Sequence, residues 1–239
     1  LAAHAARVIY NAERSAEEHE RIGYPRERRQ VIPNGFDLER FRPDPVARAQ
    51  VRAELGLADD EPVVGMLARR HPQKDHDTLL AAATRAVGAV PRLRLLLAGA
   101  GVEPADGAFR ALVARHGLEG RVLALGERHD AARLLAAVDV ATLTSRTEAF
   151  PNAVGEAMAV GLPVVATDAG DVRTLLGGTG DVVPVGAADA LAARWVTWLT
   201  RSPAERQRRG AAARARLAAQ YALSAVARRY AEQLAEVAS

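Results

Sequence analysis

Two carboxylates, Glu148 and Glu156, flank a Pro-Asn turn in the stretch SRTEAFPNAVGEAMAVGLPVVATDAG, residues 145–170. Glu148 follows an apolar run that reads as a strand. Asn152 reads as the N-cap of the helix that carries Glu156 one turn further in. That placement turns both carboxylates toward one crevice. Between them, the unpaired N–H groups at the helix start, about Ala153 and Val154, can receive phosphate oxygens with the help of the helix dipole. A carboxylate repels phosphate but accepts hydrogen bonds from a diol such as ribose. The pattern therefore suits a ligand with hydroxyls at both ends and phosphates between them, which describes a nucleotide-diphosphate sugar. Arg69 and Lys74, in the loop after another strand, would supply countercharge to its diphosphate.

Lys74 stands out in composition as well. Of the 32 Lys and Arg residues, every other one is arginine, so this position marks a place where a compact ammonium could serve better than a planar fork. Net charge is only +3 and aromatics are 4% of the chain, which argues against a nucleic-acid partner. With no cysteine, and six histidines that show no His-x-x-x-His pairing, neither a disulfide framework nor a metal site built on those side chains is expected. Hydrophobic residues make up 49% of the 239 and charged residues 26%, and no apolar run has the length of a membrane span. A soluble protein is the resulting expectation. The opening LAAHAARVIYNAERSAEEHE reads as the middle of a helix and the chain as a piece of a longer one.

The elements that must hold these residues alternate. Strands are expected at VIYNA from Val8, VIPNGFD from Val31, PVVGMLA from Pro62, RLRLLLAGAG, RVLALG, DVATLTS, LPVVATDAG and DVVPV from Asp181. Helices are expected over the polar, Glu- and Arg-rich stretch after VIYNA and at HDTLLAAATRAV, FRALVARHG, DAARLLAAV and NAVGEAMAV. Continuous Val/Leu/Ile runs between helices are the mark of strands buried on both faces, so the fold class is α/β with a doubly wound parallel sheet. In such sheets ligands bind beyond the carboxyl ends of the strands, where ARRHPQKD, AGAGVEP, GERHD and SRTEAFPN fall. After Ser202-Pro203 come one or two alanine-rich helices with a break near Tyr221. Their run of Arg206, Arg208, Arg209, Arg214 and Arg216 reads first as a solvated face and alternatively as a weak peripheral contact with anionic lipid.

Five stretches in this order, VIPNGFDLERFRPD, ARRHPQKD, LLLAGAG, LALGER and EAFPNAVGEAMAVGLPVVATDAGD with its Glu-x7-Glu, resemble the C-terminal half of a retaining family 4 glycosyltransferase (glycosyl transferases group 1) of GT-B architecture. The resemblance implies three segments: residues 1–40 as the remnant of an N-terminal domain and its linker, 41–203 as a Rossmann-like donor domain, and 204–239 as helices packing back toward the missing domain. It implies transfer of a sugar from a nucleotide-diphosphate donor to a saccharide or lipid-linked acceptor, as in polysaccharide biosynthesis, in the cytoplasm or at the inner face of the membrane. Arg69 and Lys74 correspond to the pair on the diphosphate and Glu148 to the carboxylate at the donor sugar. Phe150, Pro151 and Asn152 correspond to the turn whose backbone meets that sugar, and Glu156 to the ribose contact. Gly126 and Arg128 border the base, and Gly99 and Gly101 keep their loop close to the ligand. No cofactor or metal is implied, because no Asp-x-Asp is expected to hold one and the positive side chains can carry the electrostatic work at the leaving group.

Two departures stand out. Ala68 precedes Arg69 where the family usually has glycine, and the family's N-terminal, acceptor-binding domain has no counterpart here. His71, His76 and His129 lie in or beside the donor-side loops and read as hydrogen-bonded surface residues, none as a catalytic base. A non-catalytic module that holds a nucleotide sugar for a partner chain is the alternative reading. An epimerase or phosphorylase of GT-B fold is disfavoured by the Glu-x7-Glu context.

Overall fold

The structure, a computed structural model, describes residues 5–238, so the first four residues of the opening segment lie outside it. Residues 5–7 are irregular where a helix was expected. A βαβ unit follows: β1 (Val8–Tyr10), α1 (Glu13–Arg21) and β2 (Arg29–Val31), with the strands parallel and Ile9 opposite Gln30. The strand expected from Val31 in fact ends there. Ile32 N–H still reaches Tyr10 O at 2.9 Å, but Pro33 has no N–H to continue the ladder.

The second sheet has six parallel strands: β3 (Val63–Leu67), β4 (Arg94–Ala98), β5 (Val122–Ala124), β6 (Val140–Leu143), β7 (Val164–Thr167) and β8 (Asp181–Val183), in the order β5-β4-β3-β6-β7-β8. Helices cover both faces. On one side α5 (Ala131–Ala136), α6 (Asn152–Val160) and α9 (Pro203–Tyr221) share a core with Val63 and Leu96; on the other α3 (His76–Ala86), α4 (Gly107–Arg115) and α8 (Ala188–Leu199) pack on Val64, Met66, Leu95 and Leu97. Adjacent residues of one strand thus enter opposite cores, which is why the strands read as unbroken apolar runs. The chain winds outward from β3 through β4 to β5, returns to β6 beside β3, and winds the other way. The reversal leaves a crevice between the carboxyl ends of β3 and β6, the place where doubly wound sheets bind ligands.

Of the remaining helices, α2 (Pro45–Glu54) packs on α5; its start is set by Asp44, whose carboxylate accepts the Ala47 N–H at 2.8 Å, with Pro45 at the first helical position. The short α7 (Val172–Leu176) follows β7. Helix α9 opens with a capping box between Ser202 and Glu205, as Ser-Pro suggested. It stops at Ala222, whose extended backbone lets Phe36 N–H reach Tyr221 O and Leu223 N–H reach Phe36 O, and α10 (Leu223–Ala238) begins there. Among the described residues no helix is long and apolar enough to cross a membrane.

The arginine run of α9 is not simply a solvated face. Arg214 donates to the carbonyls of Phe41 (2.7 Å), Leu38 (3.0 Å) and Ala159, and Arg216 to those of Leu175 (2.9 Å) and Thr174 (2.7 Å). Arg209 reaches Gly180 O at 3.2 Å, and Arg208 stays exposed. Ala159, Thr174 and Leu175 lie in the last turns of α6 and α7, where carbonyls lack intrahelical donors and the dipole favours cations. The guanidinium groups of Arg214 and Arg216 tie α9 to these neighbouring segments.

Candidate functional site

The loops after β3 and β6 meet across the crevice and are stitched together. Arg146 N–H donates to Gln73 O at 2.7 Å, and the buried Thr144 hydroxyl is shared between Lys74 O (2.7 Å) and Asp75 O (3.1 Å). Asp75 adopts φ +48°, an uncommon conformation for a residue with a Cβ. Its carboxylate compensates by capping α3 through Thr78 N–H (3.2 Å) and the Thr78 hydroxyl (2.8 Å), and by pairing with Arg146 at 3.0 Å. The main chain of Lys74 is therefore fixed from both sides.

The Lys74 ammonium forms an ion pair with Glu148 Oε1, and the Ser145 hydroxyl donates to the same oxygen at 2.6 Å. The two charged side chains are 22% and 12% exposed, so water reaches the pair without dissolving it. Glycine 170 closes the loop from below. With φ +55°, its missing Cβ would stand 2.5 Å from Ala149 O and closer still to Glu148 O, so a larger residue would push the turn out of place. Asp171 N–H then holds Ala149 O at 3.1 Å. The Asp171 carboxylate receives the first N–H groups of α1, Glu13 at 2.7 Å and Arg14 at 3.1 Å, tying the βαβ unit to this loop. Burial raises the Asp171 carboxyl above its ordinary value, against the pull of those N–H groups.

A second group borders a hollow of about 320 Å³ that brings together Arg69, Gly99 and Arg128 with Glu127. Arg69 is exposed. Gly99, at φ +146°, passes so close under the β3 loop that a Cβ would lie 2.6 Å from Arg69 N, and its N–H bonds Gly126 O at 2.7 Å. Gly101 backs onto Arg70 and Gly126 onto Glu103, both at positive φ. Arg128 is held bidentately by Asp130 at 2.8 and 2.6 Å, so its guanidinium is a fixed wall.

Glu156 opens onto a hollow of about 870 Å³ with Asn34, Arg40, Asn152 and α10, and Glu148 is not among its lining residues. Burial raises the Glu156 carboxyl above its ordinary range, with Arg40 opposing. Asn152 is also not the N-cap. The helix is capped at Pro151 without a side-chain bond, and Asn152 Oδ1 instead accepts from Asn34 Nδ2 at 2.8 Å. Phe36 seats the Asn34 loop there: its ring lies where Gly155 leaves space, a Cβ at 155 falling 2.6 Å from a ring carbon. Of the N–H groups proposed for phosphate, Val154 is spent on Pro151 O at 3.0 Å, which leaves Ala153 without a backbone acceptor among the described residues. Phe150 is buried against Phe36 and Tyr221, so only its backbone can face a ligand.

One histidine departs from the sequence reading. His76 is no surface histidine: it is 4% exposed, edge-on to Phe109 at 6.2 Å, neither ring nitrogen has a partner among the described residues, and burial lowers its pKa to about 4. His71 does accept a bond, from Gln73 N–H at 3.2 Å. Against the expectation of none, the sequence does contain an Asp-x-Asp, at Asp75 and Asp77. Asp75 is committed to Thr78 and Arg146, and Asp77 faces Arg115 at 3.5 Å. Among the described residues no three His, Cys, Asp or Glu side chains gather as a metal site.

The strand order and the charged crevice at its reversal define a Rossmann-like α/β domain. Residues 61–201 match the family of glycosyl transferases group 1, and the chain belongs to that family. D-inositol 3-phosphate glycosyltransferase of Nocardia farcinica is 36% identical over 194 residues, 77% of this chain. A GDP-mannose-dependent monoacylated alpha-(1-6)-phosphatidylinositol monomannoside mannosyltransferase of Corynebacterium glutamicum is 31% identical over 199 residues, 80% of this chain. HepE of Anabaena, crystallised in complex with UDP and glucose, superposes with a TM-score of 0.89 at 29% identity over 97% of this chain. The chain spans 42% of the Nocardia protein, 51% of the Corynebacterium protein and 64% of HepE.

Proposed function

We propose that this chain is the donor-binding part of a retaining glycosyltransferase that moves a sugar from a nucleotide diphosphate to a saccharide or lipid-linked acceptor. The observation that carries the reading is the meeting of Lys74, from the β3 loop, with Glu148, from the β6 loop, at the reversal of strand order. An ammonium there suits the diphosphate and a carboxylate beside it suits a sugar hydroxyl. That nucleotide sugars are the ligand class is supported by the UDP and glucose held by HepE and by the donor named for the Corynebacterium relative.

In this mechanism Arg69 and Lys74 take up the charge that grows on the diphosphate as the anomeric bond breaks, and Ala153 N–H at the start of α6 adds a dipole. A nucleoside diphosphate leaves as a stable anion, so no general acid is required of the donor side. Glu148 holds a sugar hydroxyl, and the acceptor hydroxyl attacks from the face the diphosphate leaves, passing its proton to the departing phosphate oxygen as the new glycosidic bond forms. Glu156 and Asn152 take the ribose, and the Glu127–Arg128 wall borders the base. The cationic side chains make a metal dispensable. Exposed Leu223, Tyr230, Leu234 and Val237 on α10 offer an apolar surface to a further domain that would carry the acceptor.

Titration of the purified chain with UDP, UDP-glucose and GDP-mannose tests the donor site. One nucleotide sugar is expected to bind, with Lys74→Met weakening it about ten-fold or more, the loss of a charged hydrogen bond. Absence of binding, or equal binding by the variant, would overturn the reading. Mass spectrometry of the same mixtures with saccharide and lipid acceptors separates transfer from binding alone.

A further inference from the structure

Glu148 has two oxygens, and they are not equivalent. Oε1 receives both the Lys74 ammonium and the Ser145 hydroxyl, whereas Oε2 has no partner among the described residues. The two donors to Oε1 also differ in kind. Lys74 reaches it along a flexible stem, and its charge is the one a diphosphate would attract. Ser145 is 0% exposed, sits two residues beyond the end of β6, and has its own carbonyl held by the Thr167 hydroxyl at 2.6 Å on the neighbouring β7. One anchor can leave and the other cannot.

Resting on the donor-site reading above, we infer that Ser145 is the positioning residue that aims Glu148 at the donor sugar. When the ammonium turns to the diphosphate, the serine hydroxyl alone keeps Oε1 in place and leaves Oε2 pointing free for a sugar hydroxyl. The surroundings fit this role. Thr144, the residue before, fixes the main chain of Lys74, so consecutive side chains of one strand end set the two halves of the ion pair. Gly170 and Asp171 hold the backbone of the Glu148 turn from below, which leaves the side-chain torsions as the freedom that Ser145 must restrain. A hydroxyl buried this fully has no water to bond instead, so its bond to the carboxylate persists.

The role separates sugar recognition from nucleotide recognition. Ser145→Ala and Ser145→Cys, the second nearly keeping the volume while donating poorly, are titrated calorimetrically beside the wild type with a nucleoside diphosphate and with the matching nucleotide sugar, UDP with UDP-glucose and GDP with GDP-mannose. Both variants are expected to bind the nucleotide sugar about two- to ten-fold more weakly, the range of one hydrogen bond, with nucleoside diphosphate affinity unchanged. If Ser145→Ala unfolds at lower denaturant, Ser145→Cys decides. Wild-type sugar affinity in the cysteine variant, or equal loss of both ligands, would overturn the positioning role. A wild type that binds neither ligand would instead sink the donor site, and this role with it.

Discussion

In the unliganded protein Glu148 competes with any incoming diphosphate for Lys74, so Glu148→Gln should strengthen one ligand while weakening the recognition of another. The pair is partly exposed, 22% and 12% for the two side chains, which places it near the upper end of solvent-reached ion pairs, about 1 kcal/mol. Removing the carboxylate charge frees the ammonium, so UDP or GDP should bind about five-fold more tightly. The sugar loses a charged acceptor and keeps a neutral one, a difference of about 1 to 2 kcal/mol. The ratio of nucleotide-sugar to nucleoside-diphosphate affinity should therefore fall by roughly 5- to 30-fold, and the affinity for the nucleotide sugar itself should range from unchanged to about five-fold weaker. Isothermal titration at fixed ionic strength measures all four constants. Parallel weakening of both ligands would refute the competition argument, because it would mean that Glu148 supports the diphosphate and does not oppose it.

Gly170→Ala should destabilise the fold by about 1 to 3 kcal/mol in denaturant unfolding, from the left-handed backbone and the clash with the Glu148 turn, and should weaken the nucleotide sugar as well. Wild-type stability would mean the turn has room to shift. Glu156→Gln should be more stable than the wild type at neutral pH, because the raised carboxyl of Glu156 contributes fully only below its ordinary 4.5 and loses stability as pH rises through its folded value. Urea melts at neutral pH and near pH 4 should show that advantage shrinking on acidification; a constant gap would contradict it. Lys74→Arg keeps the charge but replaces a point by a planar fork in a loop pinned by Thr144, so titration should show weaker donor binding, and full retention would make the lone lysine incidental.

The winding of the sheet was readable because each strand is buried on both faces and leaves an unbroken apolar run. Arg69, Lys74, Gly99, Arg128 and Glu148 were readable as loop residues for the same reason: they follow those runs. What the sequence hid depends on partners far along the chain. Asn152 looked like a cap, yet its amide is taken by Asn34, 118 residues away. The α9 arginines looked solvated because their carbonyl acceptors lie on α6, α7 and the 38–41 segment. Helix α8 went unread, although its buried Trp195 and Trp198 lie three apart on one face. Ser145 carried no signal at all, since a serine before a turn is ordinary until its hydroxyl is found on the carboxylate. Asp75 was the opposite case: an Asp immediately before a helical run is an N-cap pattern that could have been seen.

The most direct measurement of the central claim is a crystal structure of this chain with whichever nucleotide sugar binds it. The diphosphate is expected between the ends of β3 and β6, within hydrogen-bond distance of Lys74 and Arg69, with a sugar hydroxyl on Glu148 and Ser145 still on Oε1. A nucleotide seated elsewhere, or one whose sugar leaves Glu148 and Lys74 paired and untouched, would contradict it.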